Sequence, residues 1–271
     1  MSNKYGLLPK VATAKRLGPG RPLPCSLLIG PGILLALWCF ASGIHLLDDR
    51  FLPAPWHIVQ TGMQAWHTGR LQHDIVVSGL RALSGFGIGL VIGSLLAVLS
   101  GLNRWGEAFI DGTVQVQRAI PALAMIPLLI LWLGIGEVMK VVVITISVTV
   151  LIYIHTHNGL RNIDQRFVEL AETSQLSQRT FIRHIVIPGA LPGFMLGLRF
   201  AVLSAWVGLV VVEQINATSG IGYMMTLARG YGQIDVVILG LLLYAALGLS
   251  ADALVRLLSR RVLQWQPTLH R

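Results

Sequence analysis

An all-α integral membrane protein with about six transmembrane helices is predicted by three features of the sequence. Of 271 residues, 54% are hydrophobic and only 12% charged, and the mean hydropathy of +0.69 lies above the range of soluble domains. The apolar residues are gathered into stretches of about 20 or more, the helical length that crosses a hydrocarbon core of roughly 30 Å. The formal charge of +9 is dispersed over short polar connections. No basic face with interleaved aromatics forms, so a nucleic-acid partner is excluded and membrane orientation accounts for the charge.

In chain order, a basic cytoplasmic tail over 1–26 holds Lys4, Lys10, Lys15, Arg16 and Arg21. The apolar run 27–47 behind it is too long for a signal peptide and is expected to stay as the first span. Further spans are expected at 75–101, 113–134, 138–157, 190–212 and 234–258, each with few charges and polar or Gly/Pro-rich breaks, followed by a cytoplasmic tail over 259–271. With the N-terminus inside, the inner segments hold the five tail cations, Arg104, Arg118, Arg161, Arg166, Arg179, Arg183, Arg256, Arg260, Arg261 and Arg271. The outer segments hold only Arg50, Arg70, Arg229 and Lys140, so the positive-inside rule places both termini in the cytoplasm. Two cysteines, Cys25 and Cys39, are too few for a disulfide scaffold or metal site, and no cofactor is expected.

Between the first two spans, Trp56, Val59, Met63 and Trp66 follow Pro55 at helical spacing, as in a short helix or aromatic anchor lying in the interface. The second span repeats small residues every fourth position (Gly85, Gly89, Gly93, Ala97, Gly101), and the fifth does the same (Gly189, Gly193, Gly197, Ala201, Ala205). Such ridges allow close backbone approach in lipid; whether they meet another span or a second copy is left open. Pro121 and Pro127 predict a third span that bends near Ile126.

The inner connection 158–189 is too long and too patterned for a turn. Asp164 can cap a helix with Ile163, Phe167, Leu170, Ala171 and Ser174 on one face, and Ser177 a second with Phe181, Ile182 and Ile185, ending before Pro188. The two would expose Glu169, Glu172 and Arg179 beside apolar knobs, a surface suited to a groove on a partner.

From Val168-Glu169-Leu170-Ala171 to Ile187-Pro188-Gly189-Ala190-Leu191-Pro192, this connection resembles the EAA loop of permeases in ATP-binding-cassette (ABC) importers. Ile120-Pro121-Ala122-Leu123-Ala124, Arg161-Asn162-Ile163-Asp164 and Ser219-Gly220-Ile221-Gly222-Tyr223 are similar to the aliphatic sulfonate permeases of the sulfonate, taurine and nitrate group. The resemblance implies a type I importer permease of the bacterial inner membrane. It also implies two ATP-binding ATPase subunits on the cytoplasmic side, a periplasmic solute-binding protein, and a second permease copy in a homodimer. Within it, Glu169, Leu170, Ala171, Gln175, Ile185 and Pro188 belong to the ATPase-coupling loop, with Glu169 and Ala171 at the contact. Leu170 departs from the family alanine. Gln175 stands where the family has glycine, at a bend that favours a left-handed backbone.

Arg199 lies about ten residues into the fifth span, so roughly 15 Å deep. It can line an anion pathway or pair with helix carbonyls or an internal acid. Arg81, Lys140 and Glu213 are expected to snorkel at span ends. Acids within the spans are too few for an ion-coupled transporter, the histidines lack metal-ligand spacing, and no GxxxxGK[ST] occurs in the sequence, so energy must come from a partner.

Overall fold

The computed structural model describes residues 26–265. Cys25, most of the basic tail and residues 266–271 lie outside them. All described regular structure is helical, and the chain divides into two units, 1–47 and 48–271. In the first unit, helix α1 (Ser26–Gly43) stops short of the expected end at 47. His45 has φ 54, a left-handed conformation that no α-helix continues through.

The second unit begins with α2 (Pro55–His67), in which proline occupies the first turn, where its missing N–H costs nothing. Ile58 is buried, while Trp56, Val59, Met63 and Trp66 are exposed together on the other side. The long helices follow: α3 (Arg70–Leu102), α6 (Glu137–Arg161), α8 (Gln178–Ile215) and α10 (Ile234–Val262), each apolar and long enough to cross a bilayer. Short helices α7 (Gln165–Thr173) and α9 (Ile221–Gly230) flank α8.

The expected third span is two helices, α4 (Arg104–Ala119) and α5 (Ala122–Leu133), set at 85° to each other. The break falls at Ile120 and Pro121, not near Ile126. Ile120 is extended (φ −97, ψ 115), the conformation a following proline imposes, while Pro127 sits harmlessly where the 3-10 turn Ala122–Met125 gives way to α-helix at Ile126, in the first α-helical turn.

Both small-residue ridges face α6. On α3, a Cβ at Gly85, Gly89 or Gly93 would lie 2.7 Å from Ile144 Cβ, 2.7 Å from Val148 Cβ and 2.6 Å from the Thr149 carbonyl oxygen respectively. On α8, a Cβ at Gly193 would lie 2.5 Å from the His155 carbonyl oxygen and 2.8 Å from Gly159 Cα; at Gly197 it would lie 2.9 Å from His155 Cβ. The two ridges therefore clasp one helix of the same chain. Hydroxyls reinforce the close approach, with Thr145 and Thr149 donating to the Gly85 and Gly89 carbonyls at 3.2 and 3.4 Å.

The α3–α6 pairs run in parallel at a constant offset, from Gly85 beside Ile144 to Gly101 beside Leu160. Glu137 then stands level with Ser78, and the segment between must climb back from Leu102 by about 36 Å at 1.5 Å per residue. Helices of about 24 and 18 Å at near right angles cover roughly 30 Å, and the linking residues supply the rest. The bent pair is thus a broken span, the fifth crossing of the second unit.

Candidate functional site

At the end of the bundle where α6 finishes, the chain forms an elbow. Asp164 Oδ1 accepts from the Arg166 backbone N–H at 3.0 Å and starts α7. Ser177 Oγ accepts from Thr180 N–H at 3.3 Å and starts α8. Between them Gln175 has φ 48, so a side chain with a Cβ holds the left-handed conformation that glycine adopts more cheaply. Gln175→Gly is expected to stabilise this bend by up to about 1 kcal/mol, seen as slower amide hydrogen exchange over residues 174–177.

The elbow departs from expectation in two ways. The helix capped by Ser177 does not end before Pro188 but runs into the membrane as one 38-residue element. A π-turn at Ile182–Val186 precedes Pro188, and the wider turn there accommodates a residue without an N–H and with a ring against the preceding carbonyls. Ala171, expected at a partner contact, is only 5% exposed and turns into its own chain. Outward-facing instead are Phe167 (55%), Leu170 (59%) and Leu176 (40%), beside exposed Glu169, Glu172 and Arg179; Ile185 is half-buried. Gly189 abuts Ile163, where a Cβ would lie 2.9 Å from Ile163 Cγ1. The entry to the elbow is thereby held against the arm that continues into the membrane.

The far end of the bundle holds a buried polar network. Arg81, Lys140 and Glu213 do not snorkel: they are 4%, 2% and 1% exposed. Arg81 donates to Glu213 at 2.7 Å, to Glu137 through two nitrogens, and to the Ser219 carbonyl at 2.6 Å. Glu213 also accepts from Ser78 (2.8 Å), the Gly222 N–H (2.9 Å) and the Tyr244 hydroxyl (2.9 Å). Lys140 completes the balance against Glu137 at 2.8 Å. Asp74 accepts from Gly220 N–H and Ser78 from Ile221 N–H, both at 2.9 Å. The first turn of α9 thus hands three of its unpaired backbone donors to side chains, two of them carboxylates, at the end where a helix favours negative charge.

This arrangement accounts for Ser219-Gly220-Ile221-Gly222. Gly220 has φ 108, and a Cβ there would sit 2.5 Å from Glu213 Oε1; at Gly222 it would sit 2.5 Å from Glu213 Cβ. Only glycine lets the turn close over the carboxylate.

Arg199 has an internal acid as partner: its Nε donates to Asp252 on α10 at 3.1 Å, and Arg256 meets the other oxygen of the same carboxylate at 3.1 Å. The Arg199 side chain is 49% exposed and borders a groove of about 450 Å³ between α8 and α10.

Sequence reasoning missed Asp74, Ser78, Glu137, Tyr244 and Asp252. Two signals were available: Asp74, Ser78 and Arg81 repeat at spacings of four and three on one face of α3, and Asp252 precedes Arg256 by one helical turn. The spans hold more acid than expected, yet Glu213 and Asp252 are paired with arginine and Asp74 accepts from a helix terminus. The Asp74 contact is through Oδ1 alone, and its Oδ2 is buried without a hydrogen-bond partner.

A broken span, a helix clasped by glycine ridges and an exposed elbow continuous with a spanning helix define a multi-pass membrane protein. Residues 89–264 match the family described as binding-protein-dependent transport system inner membrane component, and the chain belongs to that family. It is the permease subunit of an ABC importer, a transport component of the inner membrane and not an enzyme; ATP-binding subunits and a solute-binding protein complete such a system.

Among its relatives is the "Putative aliphatic sulfonates transport permease protein SsuC" of Escherichia coli (strain K12), 42% identical over 88% of this chain and 90% of the relative. The protein of the same name in Bacillus subtilis (strain 168) is 35% identical over 96% of each chain. The taurine transport system permease protein TauC of Escherichia coli (strain K12) is 26% identical over 86% of each. Of solved structures, a chain of an amino acid ABC transporter superimposes with a TM-score of 0.61 at 16% identity. It covers 73% of this chain and 97% of its own. A chain of the inward-facing MetNI methionine ABC transporter gives 0.50 at 20% identity, covering 72% and 97%. At such identities the likeness is one of fold.

Proposed function

We propose that this permease moves small anionic solutes, aliphatic sulfonates first among them, and works as a homodimer with both termini in the cytoplasm. The observation that carries the coupling part is the elbow. Phe167, Leu170 and Leu176 stand exposed beside Glu169, Glu172 and Arg179, and the arm behind them is the same helix that crosses the membrane. An apolar ridge with charged flanks fits a groove on an ATPase, and closure of an ATPase pair then tilts α8 and switches the bundle between inward-open and outward-open states. Leu170→Asp places a charge in that contact and is expected to reduce copurification of the ATPase at least tenfold, with the permease still folded and in the membrane.

The sulfonate part rests on the names of the relatives at 42% and 35% identity. Growth and uptake on a panel of alkanesulfonates, taurine and nitrate, with and without this subunit, test it. Loss confined to alkanesulfonates is the expected outcome; loss confined to taurine or nitrate assigns a different anion.

For Arg199 on the anion route the support is its depth and half exposure, with Asp252 as the carboxylate that holds it between solutes. Arg199→Gln is then expected to lower uptake at least tenfold at normal expression. Unchanged uptake leaves Arg199 as the partner of Asp252 alone.

A further inference from the structure

The groove between α8 and α10 carries more positive charge than the Arg199–Asp252 pair accounts for. Its polar wall is Arg199, Arg256, Ser259 and Arg260, and its apolar wall includes Met195, Leu196 and Leu263. Three guanidinium groups face one carboxylate. Arg199 and Arg256 both spend their ion pairs on Asp252, and Arg260 has no ion pair among the described residues. Two positive charges are left over, and no other acidic residue lies between 192 and 199 on α8 or between 253 and 263 on α10.

These cations are graded in depth. Arg256 is one turn and Arg260 two turns beyond Asp252, about 6 and 12 Å along the axis, toward the end of α10 that its 29 residues, about 43 Å, carry past a hydrocarbon core of roughly 30 Å. Arg260 therefore stands at headgroup level, on the same side of the bundle as the elbow. In the opposite direction the groove adjoins an almost wholly apolar cavity of about 470 Å³ between α3, α8 and α10, lined by Phe86, Leu90, Val202, Trp206 and Leu254 among others. Val255 belongs to both. Val255 is buried and the Arg199–Asp252 ion pair bridges the two helices, so the groove keeps its own polarity, cationic at the bilayer surface with Met195 and Leu196 as the apolar wall below.

A slot with that polarity matches one amphiphile. We propose that it is a binding site for an anionic phospholipid, with the phosphate on Arg256, Ser259 and Arg260 and an acyl chain along Met195, Leu196 and Leu263, the groove's own apolar wall. A basic pocket between spanning helices on the leaflet that carries anionic lipid is the setting in which such headgroups bind. A zwitterionic lipid offers the same tail but no net charge to the surplus arginines. A free phosphate offers the charge without the tail.

Native mass spectrometry of the full chain, purified in mild detergent, delipidated and supplied in turn with phosphatidylglycerol, phosphatidylcholine or inorganic phosphate, tests the site. The expected result is at least fivefold higher occupancy by phosphatidylglycerol than by phosphatidylcholine, falling about fivefold in Arg260→Gln and further in the Arg256→Gln/Arg260→Gln double variant, with Arg229→Gln, on the opposite side of the bundle, unchanged. Arg260 holds no ion pair among the described residues, so its variant keeps the fold and the result stands even if loss of Arg256 disturbs Asp252. Equal occupancy by the two lipids, or a preference untouched by Arg260→Gln, overturns the proposal. Equal binding of inorganic phosphate at the same arginines also overturns it, in favour of a free-anion site.

Discussion

Replacing Arg81 by methionine is expected to destabilise the protein by about 3–5 kcal/mol, the cost of stranding one member of a buried ion pair. Glu213 has no exposed side-chain surface, and Arg81 is the cation that compensates it. Ser78, Gly222 and Tyr244 would still donate hydrogen bonds, but a carboxylate held only by neutral donors in a dry site is costly to keep ionised. Glu137, by contrast, is 57% exposed and can turn to water. The loss should therefore fall on Glu213 alone, and Arg81→Met/Glu213→Gln should recover most of it. Thermal unfolding of the four members of this cycle in detergent measures the coupling. Additive single effects would mean that the network does not act as a unit.

Gly193→Ala is the second large effect, opposite in sign to what helix propensity predicts. At an open helical site Gly→Ala gains up to about 1 kcal/mol. Gly79 is such a site, with nothing within 4 Å of a Cβ. At Gly193 the new methyl meets the His155 carbonyl oxygen at 2.5 Å and Gly159 Cα at 2.8 Å, backbone atoms that no rotamer change can clear. Helices α6 and α8 must separate, and the close contacts between them open together. A loss of about 3 kcal/mol, at the upper end of overpacking costs, is expected for Gly193→Ala, against a small gain for Gly79→Ala. The same unfolding measurement reads both.

The contrast between these two sites shows where the sequence was informative. A ridge of small residues every fourth position is a property of one helix, so Gly85, Gly89, Gly93, Gly193 and Gly197 could be found without a structure. The surface they meet is a property of two helices, and α6 carries no reciprocal signal over most of its length. Ile144, Val148 and Ile152 read as ordinary apolar residues. That both ridges close on one helix of the same chain emerges only from the fold.

Charge followed the same division. Depth along a span is arithmetic, and it placed Arg199 well below the surface. Partnership is not: Arg81 reaches Glu213 across 132 positions and Ser219 across 138, so an arginine that looked close to a span end proved to be the centre of a buried network. Backbone effects were legible where one residue decides them, as with Asp164, Ser177 and the left-handed Gln175. They were misread where prolines act through their neighbours. Pro121 broke the third span through Ile120 instead of bending it at Ile126, and Pro188 was absorbed by a π-turn instead of ending a helix.

In the coupling proposed for this permease, force enters at the elbow from an ATP-hydrolysing neighbour and passes along α8 to a bundle that cannot move solute by itself. Uptake of an alkanesulfonate into vesicles tests it most directly, comparing the permease alone with the permease plus its ATPase, binding protein and ATP. Uptake only in the complete system, abolished by Leu170→Asp, is the predicted result. Concentrative uptake by the permease alone, without nucleotide, would contradict it.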